Sequence, residues 1–313
     1  MKIKKPIFWD YKQPNLLSYL LIPFTLPFIL NNLLLRIKKK PYKNDKIKNI
    51  CIGNIYVGGT AKTPLTIKIY QILKNLNFKV ATIKKFYKDQ VDEQKILRNK
   101  TKLYCSKTRK YSMYQAIKDD IEVAIFDDGL QDVSINYHLS FVCFNTAKWI
   151  GNGFLIPAGP LREKIESISK YDAIFLNGNK EDASNIKLLI KKYNPHIKIF
   201  ESYYAPVDID KFSNKEKYLI FSGIGNPESF KQTLLNNKLN IIKEVIFPDH
   251  YQYTKDDIEK LKLEAKSLNA KIITTEKDYV KLDNENHNKI NFLAIELIIK
   301  KENELINFIQ STI

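Results

Sequence analysis

Between Ile47 and Leu76 the chain runs through a short apolar strand, a glycine-bearing loop and a helix-forming segment, and this order constrains the fold more than any other feature. Ile47, Ile50 and Ile52 precede the loop Gly53-Asn54-Ile55-Tyr56-Val57-Gly58-Gly59-Thr60-Ala61-Lys62-Thr63, and Leu65, Ile69, Ile72, Leu73 and Leu76 follow at helical spacing. Lys62 and Thr63 therefore fall at a helix N-terminus. There the loop amides and the helix dipole favour anionic oxygens, a lysine reaches terminal phosphates, and a threonine hydroxyl can ligate the accompanying magnesium. The strict pattern G-x-x-x-x-G-K-[ST] is not matched, because Tyr56 stands at the first glycine position and Ala61 at the second. The run is also compatible with an ordinary turn, so the remainder of the chain has to decide.

A second signal comes from Val123-Ala124-Ile125-Phe126, which leads directly into Asp127-Asp128-Gly129. A buried parallel strand delivers carboxylates to its C-terminal end in this way, at the edge where open α/β sheets bind ligands. A magnesium-holding carboxylate and an aspartate pair opening a turn are both compatible with it. Further strands are expected at Phe78–Ile83, Phe141–Phe144, Ala173–Leu176, Ile197–Ser202, Tyr218–Ser222, Ile241–Phe247 and Lys271–Thr274, and helices at Lys107–Ile117, from Glu228, at Thr254–Leu268 and from Glu302. The expected fold class is α/β: a P-loop NTPase-like parallel sheet domain over residues 44–175 and a second, smaller α/β domain over residues 176–313, with the nucleotide in the cleft between them.

Residues 1–43 form a separate expectation. Leu16 to Leu35 is the most apolar part of the chain and about as long as the roughly twenty residues of a membrane span, yet Pro23 and Pro27 break helices and Asn31-Asn32 is costly in hydrocarbon. Arg36, Lys38, Lys39, Lys40 and Lys43 follow, suited to acidic head groups on the cytoplasmic side. An interfacial, monotopic anchor is the favoured reading, ahead of a true span and a buried core helix.

With 313 residues, 44% of them hydrophobic, the chain can build real cores, which excludes a disordered protein. The formal charge of +17 is mostly lysine scattered among Ile and Asn. No basic stripe interleaved with aromatics accompanies it, so no nucleic-acid partner is expected. Cys51, Cys105 and Cys143 are odd in number and widely spaced, as in a reducing compartment.

Five segments, in order, resemble the tetraacyldisaccharide 4'-kinases, the lipid A 4'-kinases of Gram-negative bacteria. They are Gly53 to Pro64, Asp127-Asp128-Gly129-Leu130-Gln131, Gly151 to Glu163 with its Pro157-Ala158-Gly159-Pro160-Leu161-Arg162-Glu163 run, Gly223-Ile224-Gly225-Asn226-Pro227, and Phe247-Pro248-Asp249-His250 with Thr274-Thr275-Glu276-Lys277-Asp278. The resemblance covers nearly the whole chain. It implies transfer of the ATP γ-phosphate to the 4'-hydroxyl of a tetraacylated disaccharide 1-phosphate at the cytoplasmic face of the inner membrane, by a peripheral or monotopic enzyme. On this resemblance Val57, Gly58, Gly59, Thr60, Ala61, Lys62, Thr63 and Pro64 bind ATP, and Thr63, Asp127 and Asp128 hold Mg2+. Asp92 matches the catalytic aspartate and His250, arriving from the second domain, its partner; Lys62, Arg162 and Glu163 match active-site positions.

The chain departs from the family pattern in places. Lys84-Lys85-Phe86-Tyr87-Lys88 replaces Ser/Thr-Arg-Gly-Tyr-Gly ahead of Asp92, with shortened spacing; Ala61 replaces a glycine, Asp132 a histidine and Asn145 an aspartate. The competing reading is a degenerate, membrane-associated nucleotide-binding relative without catalysis.

Overall fold

The structure is a computed structural model, and its described residues are 5–38, 41, 42, 44, 46–178 and 183–313. The chain divides into two compact units. The first holds the residues up to Phe86, Lys100–Tyr203 and Leu297–Ile313; the second, smaller unit holds Tyr87–Asn99 and Tyr204–Glu296. The division thus falls at Tyr203, where a boundary near residue 175 was expected, and the chain also enters the second unit for one short excursion after Phe86.

In the first unit, the helices α1 (Leu16–Leu21) and α2 (Thr25–Lys38) precede strand β1 (Lys48–Gly53), whose residues after Lys48 are all buried. Burial on both faces is the signature of an interior parallel strand, which explains the near-continuous Ile and Cys content of β1. Helix α3 (Lys62–Asn75) packs Leu65, Ile69, Ile72 and Leu73 inward and tolerates Pro64 because its first turn needs no intrahelical amide there. Strand β2 (Val80–Lys85) starts two residues later than expected and runs two residues further. Its last residues stay in the sheet through register with later strands, Lys84 with Asp127 and Lys85 with Ser106. In chain order there follow helix α4 (Val91–Lys100), which belongs to the second unit except for its last residue, then β3 (Leu103–Ser106), α5 (Arg109–Lys118), β4 (Val123–Asp127), β5 (Leu139–Asn145), β6 (Ala173–Asn177), α6 (Ser184–Tyr193) and β7 (Lys198–Val207), whose residues up to Tyr203 belong to the first unit.

The strand order is β3-β2-β4-β1-β5-β6-β7, and the neighbouring strands run parallel. β1 lies between β4 and β5, where the strand order changes direction. The C-terminal ends of β1 and β4 therefore open on one crevice at a topological switch point. The core beneath it includes Cys51, Ile55, Ile83, Met113, Phe126 and Phe144.

The second unit contains α4 apart from its last residue, then β8 (Lys217–Ser222), α7 (Pro227–Asn236), β9 (Asn240–Ile246), α8 (Lys255–Ser267), β10 (Lys271–Thr275), the single-turn helix α9 (Glu276–Tyr279) and most of β11 (Ile290–Ile299). Its strands run β11-β10-β8-β9, all parallel. Thr254 and Asp257 form a reciprocal capping box that starts α8, which buries Ile258, Leu261 and Ala265. The chain ends in α10 (Glu302–Gln310), back in the first unit.

Among the described residues no helix is long and apolar enough to cross a membrane. A 3-10 turn at Ile22–Phe24 separates α1 from α2, with Pro23 inside it. Leu16, Leu20, Phe24, Leu26 and Ile37 are exposed. The segment is nevertheless tied to the body of its unit: Trp9 Nε1 donates to the Pro157 carbonyl at 3.0 Å and Asn152 Nδ2 to Ser18 Oγ at 2.9 Å. Of the basic flank, Lys39, Lys40 and Lys43 lie outside the described residues, as do the side chains of Arg36, Lys38, Asn31 and Asn32.

Candidate active site

In the first unit the loop after β1 is held by Asn54, whose amide donates to the Thr60 hydroxyl at 2.9 Å and to the carbonyls of Tyr56 and Gly58. Gly58 has φ of +137°, open to glycine alone at low cost. Ala61 caps α3 at φ 67°, ψ 20°, a left-handed conformation that an alanine adopts only with strain. The Gly151–Glu163 segment docks on this loop through backbone hydrogen bonds from Val57 to Pro160 and from Arg162 to Ile55.

Lys62 and Thr63 open α3 and face the end of β4. Lys62 Nζ lies 3.8 Å from Asp128 Oδ1, and Arg162 donates to the same oxygen at 2.9 Å. Thr63 Oγ1 donates to Asp127 Oδ2 and Thr66 Oγ1 to Asp127 Oδ1, each at 3.2 Å. Gln131 links Asn54, Glu163 and Arg162: its amide donates to the Asn54 carbonyl and to Glu163 Oε1, both at 3.1 Å, and its Oε1 accepts from Arg162 at 3.2 Å. Burial alone would raise the Asp128 carboxyl, but Lys62, Arg162, Lys84 and Arg109 outweigh it and hold Asp128 well below the usual carboxylate range. Asp128 also has φ of 54°. A phosphate-sized anion at the α3 N-terminus would meet Lys62 and Arg162 together.

No group of three or more His, Cys, Asp or Glu side chains among the described residues is placed to hold a metal by itself. A threonine hydroxyl beside two adjacent carboxylates is instead the donor set that magnesium shares with nucleotide phosphates, so Thr63, Asp127 and Asp128 fit Mg2+.

The second unit contains a different constellation. Asp92 sits in the first turn of α4 with its side chain 0% exposed, and both its oxygens lie 3.0–3.1 Å from Nδ1 of His250, itself 20% exposed. The expected pairing of Asp92 with His250 is therefore present, but not between domains as expected. The excursion after Phe86 places Asp92 in the same compact unit as His250. His250 has φ of 57°, its amide donating to the Gly223 carbonyl and to Asp249. Asp278 fixes that turn by accepting from the Gly223 amide at 2.9 Å, the Tyr253 hydroxyl at 2.9 Å and Thr275 Oγ1 at 2.7 Å.

Two lysines that sequence reasoning gave no role complete the cluster. Lys277 Nζ lies 3.7 Å from Asp92, 3.7 Å from Glu93, 3.1 Å from Asp249 and 3.4 Å from His250 Nε2. Lys281 lies 3.7 Å from Asp92 and 2.7 Å from Asp278. Burial works against ionised Asp92, but the hydrogen bond from His250 and the charges of Lys277, His250 and Lys281 override it and push the carboxyl far below its ordinary value. Burial likewise disfavours the Lys277 ammonium, while Glu93, Asp249 and Asp92 raise it.

The chain is similar to known proteins over nearly its whole length. A profile of the LpxK family, described as tetraacyldisaccharide-1-P 4'-kinase, matches residues 16–313. The chain belongs to the tetraacyldisaccharide 4'-kinase family. A relative of that name from Pelagibacter ubique (strain HTCC1062) is 50% identical over 308 residues, covering 98% of this chain and 97% of the relative. One from Rickettsia bellii (strain OSU 85-389) is 34% identical over 322 residues, covering 97% of both. Among solved structures, LpxK from Aquifex aeolicus in complex with ATP superposes with a TM-score of 0.70 at 21% identity, covering 95% of this chain and 99% of that one, a likeness of fold. The chain is thus a kinase of lipid A biosynthesis, and the reading as a non-catalytic relative is not favoured.

The departures from the family pattern acquire physical content. Asp132 accepts from Ser134 and pairs with Arg109 at 3.4 Å, and Arg109 in turn donates to the carbonyls of Asp127 and Asp128. Asn145 Oδ1 accepts from the amides of Ala147 and Lys148, closing the turn after β5. Arg109 and Lys281 carried no sequence signal in a chain with 51 Lys and Arg, and Lys84 and Lys277 stood in segments compared with the family pattern without a role of their own.

Proposed function

We propose that this chain transfers the γ-phosphate of ATP to the 4'-hydroxyl of a tetraacyldisaccharide 1-phosphate, working on the cytoplasmic face of the bacterial inner membrane as a peripheral or monotopic enzyme. The observation that carries the chemistry is the Asp92–His250 pair, a buried carboxylate hydrogen-bonded to a partly exposed imidazole. A pair of this kind shares a proton and accepts one from an attacking hydroxyl. Asp92 holds the Nδ1 edge, so the acceptor hydroxyl approaches the Nε2 edge, where Lys277 stands 3.4 Å away.

The loop Val57, Gly58, Gly59, Thr60, Ala61, Lys62, Thr63 and Pro64 holds the ATP phosphates against the N-terminus of α3. Lys62 and Arg162 counter charge on the transferred group, and Glu163 with Gln131 keeps Arg162 and the loop in register. Thr63, Asp127 and Asp128 hold Mg2+, which when bound neutralises phosphate charge. Exposed Leu20, Phe24, Leu26 and Ile37 dip into the head-group region. The site assignment is tested by Thr63→Val and Asp128→Asn, which are expected to raise the Mg2+ concentration needed for half-maximal nucleotide binding by about tenfold. An unchanged Mg2+ requirement in both would remove the metal role from these residues.

A further inference from the structure

Asp127 is built differently from its neighbour. Its carboxylate has 0% exposure and faces Lys84, 1% exposed, whose Nζ donates to Oδ2 at 2.6 Å. The pairing is set by the sheet: Lys84 on β2 is the register partner of Asp127 on β4, and register partners in parallel strands project to the same face. The same oxygen accepts from Thr63. A fixed ammonium thus sits on the carboxylate oxygen that also faces the proposed magnesium-binding hydroxyl.

Resting on the metal reading above, we propose that Lys84 is a specificity-determining counter-cation that makes this site take up a divalent cation bound to nucleotide in preference to the free cation. A buried ion pair of such short reach is held firmly, because breaking it leaves an uncompensated charge in the interior. A free dication approaching Asp127 meets the Lys84 ammonium at close range in a poorly screened environment and is repelled. A metal–ATP complex carries net negative charge, so the same ammonium attracts it. Lys62 and Arg162 add to that preference from the Asp128 side.

The test uses the full chain and Mn2+ as the probe, counted by electron paramagnetic resonance, first with the metal alone and then with a non-hydrolysable ATP analogue. Lys84→Gln keeps a donor near Asp127 and removes the charge. It is expected to bind free Mn2+ at least about tenfold more tightly than wild type, while its affinity for the Mn2+–analogue complex falls. Lys84→Arg is expected to follow wild type, and Lys84→Gln/Asp127→Asn to lose the gained affinity. The double variant carries no buried unpaired charge, so the comparison survives even where a single change impairs folding. Free Mn2+ affinity in Lys84→Gln equal to that of wild type overturns the proposal, as does a gain that persists in the double variant. Should the metal reading itself be at fault, metal-dependent nucleotide binding would persist in Thr63→Val and Asp128→Asn; should only the role of Lys84 be at fault, those two lose it while Lys84→Gln matches wild type.

Discussion

Removing Asp92 and His250 singly and together measures whether they work as one unit. Each of the two Asp92 oxygens lies 3.0–3.1 Å from Nδ1 of His250, so the pair makes a charge-assisted hydrogen bond. Such a bond contributes about 1.5–3 kcal/mol, and general-base assistance is worth about 10²–10⁴ in rate. Asp92→Asn and His250→Ala are each expected to lower kcat by an amount in that range, with little change in the KM for ATP, whose proposed contacts lie in the other compact unit. If the bond energy is what the pair shares, the double variant falls short of the product of the single losses by about tenfold to a hundredfold, the rate equivalent of that energy. Asparagine is preferred to alanine at Asp92, because Lys277 and Lys281 both stand 3.7 Å away and would face each other across a cavity. Steady-state kinetics at saturating ATP with acceptor lipid in detergent micelles reads the result. Fully multiplicative losses, or near-normal turnover in Asp92→Asn, would refute the coupling.

Ala61→Gly relieves a left-handed alanine, a strain of about 1–2 kcal/mol, against about 0.5–1 kcal/mol of added chain entropy; the expected outcome is a lower KM for ATP with a urea midpoint that is unchanged or raised, and a raised KM would show that the loop relies on the methyl. Leu20→Asn, Phe24→Asn and Ile37→Asn together are expected to release the protein from anionic vesicles in a flotation assay without lowering its Tm, whereas deletion through Leu35 also removes the Trp9 and Ser18 contacts and is expected to destabilise the first unit. Asp92 and Asp128 are depressed in the fold below the ordinary aspartate value of about 3.9. Their contribution to stability is therefore present above about pH 4 and is lost as pH falls below it toward the folded-state values. Asp92→Asn should flatten the acid limb of the urea midpoint against pH, and an unaltered limb would contradict the account.

The strand–loop–helix at Ile47 to Leu76 was legible because its signals are local: β-branched residues, glycines and a helical repeat all lie within thirty residues. β4 with its terminal carboxylates was legible for the same reason. The excursion of Tyr87–Asn99 into the second unit was not, since nothing within that polar segment shows which core Leu97 joins. Strands Leu103–Ser106 and Ile290–Ile299 also escaped notice, the first being short and only partly buried, the second alternating buried and exposed positions irregularly. The roles of Lys84, Lys277 and Lys281 depend on strand register and on one turn of helix, and a lysine-rich chain conceals such positions. Ala61 was legible as a departure, but its left-handed backbone is a property of the folded loop.

The proposed reaction is phosphoryl transfer to a lipid disaccharide at one hydroxyl. Purified protein in detergent, supplied with Mg2+, γ-labelled ATP and tetraacyldisaccharide 1-phosphate, tests it directly, with the product's phosphate position read by NMR. The account predicts label on the 4'-oxygen and its loss in Lys62→Ala. Unlabelled lipid, a phosphate at another oxygen, or full transfer by Lys62→Ala would contradict it.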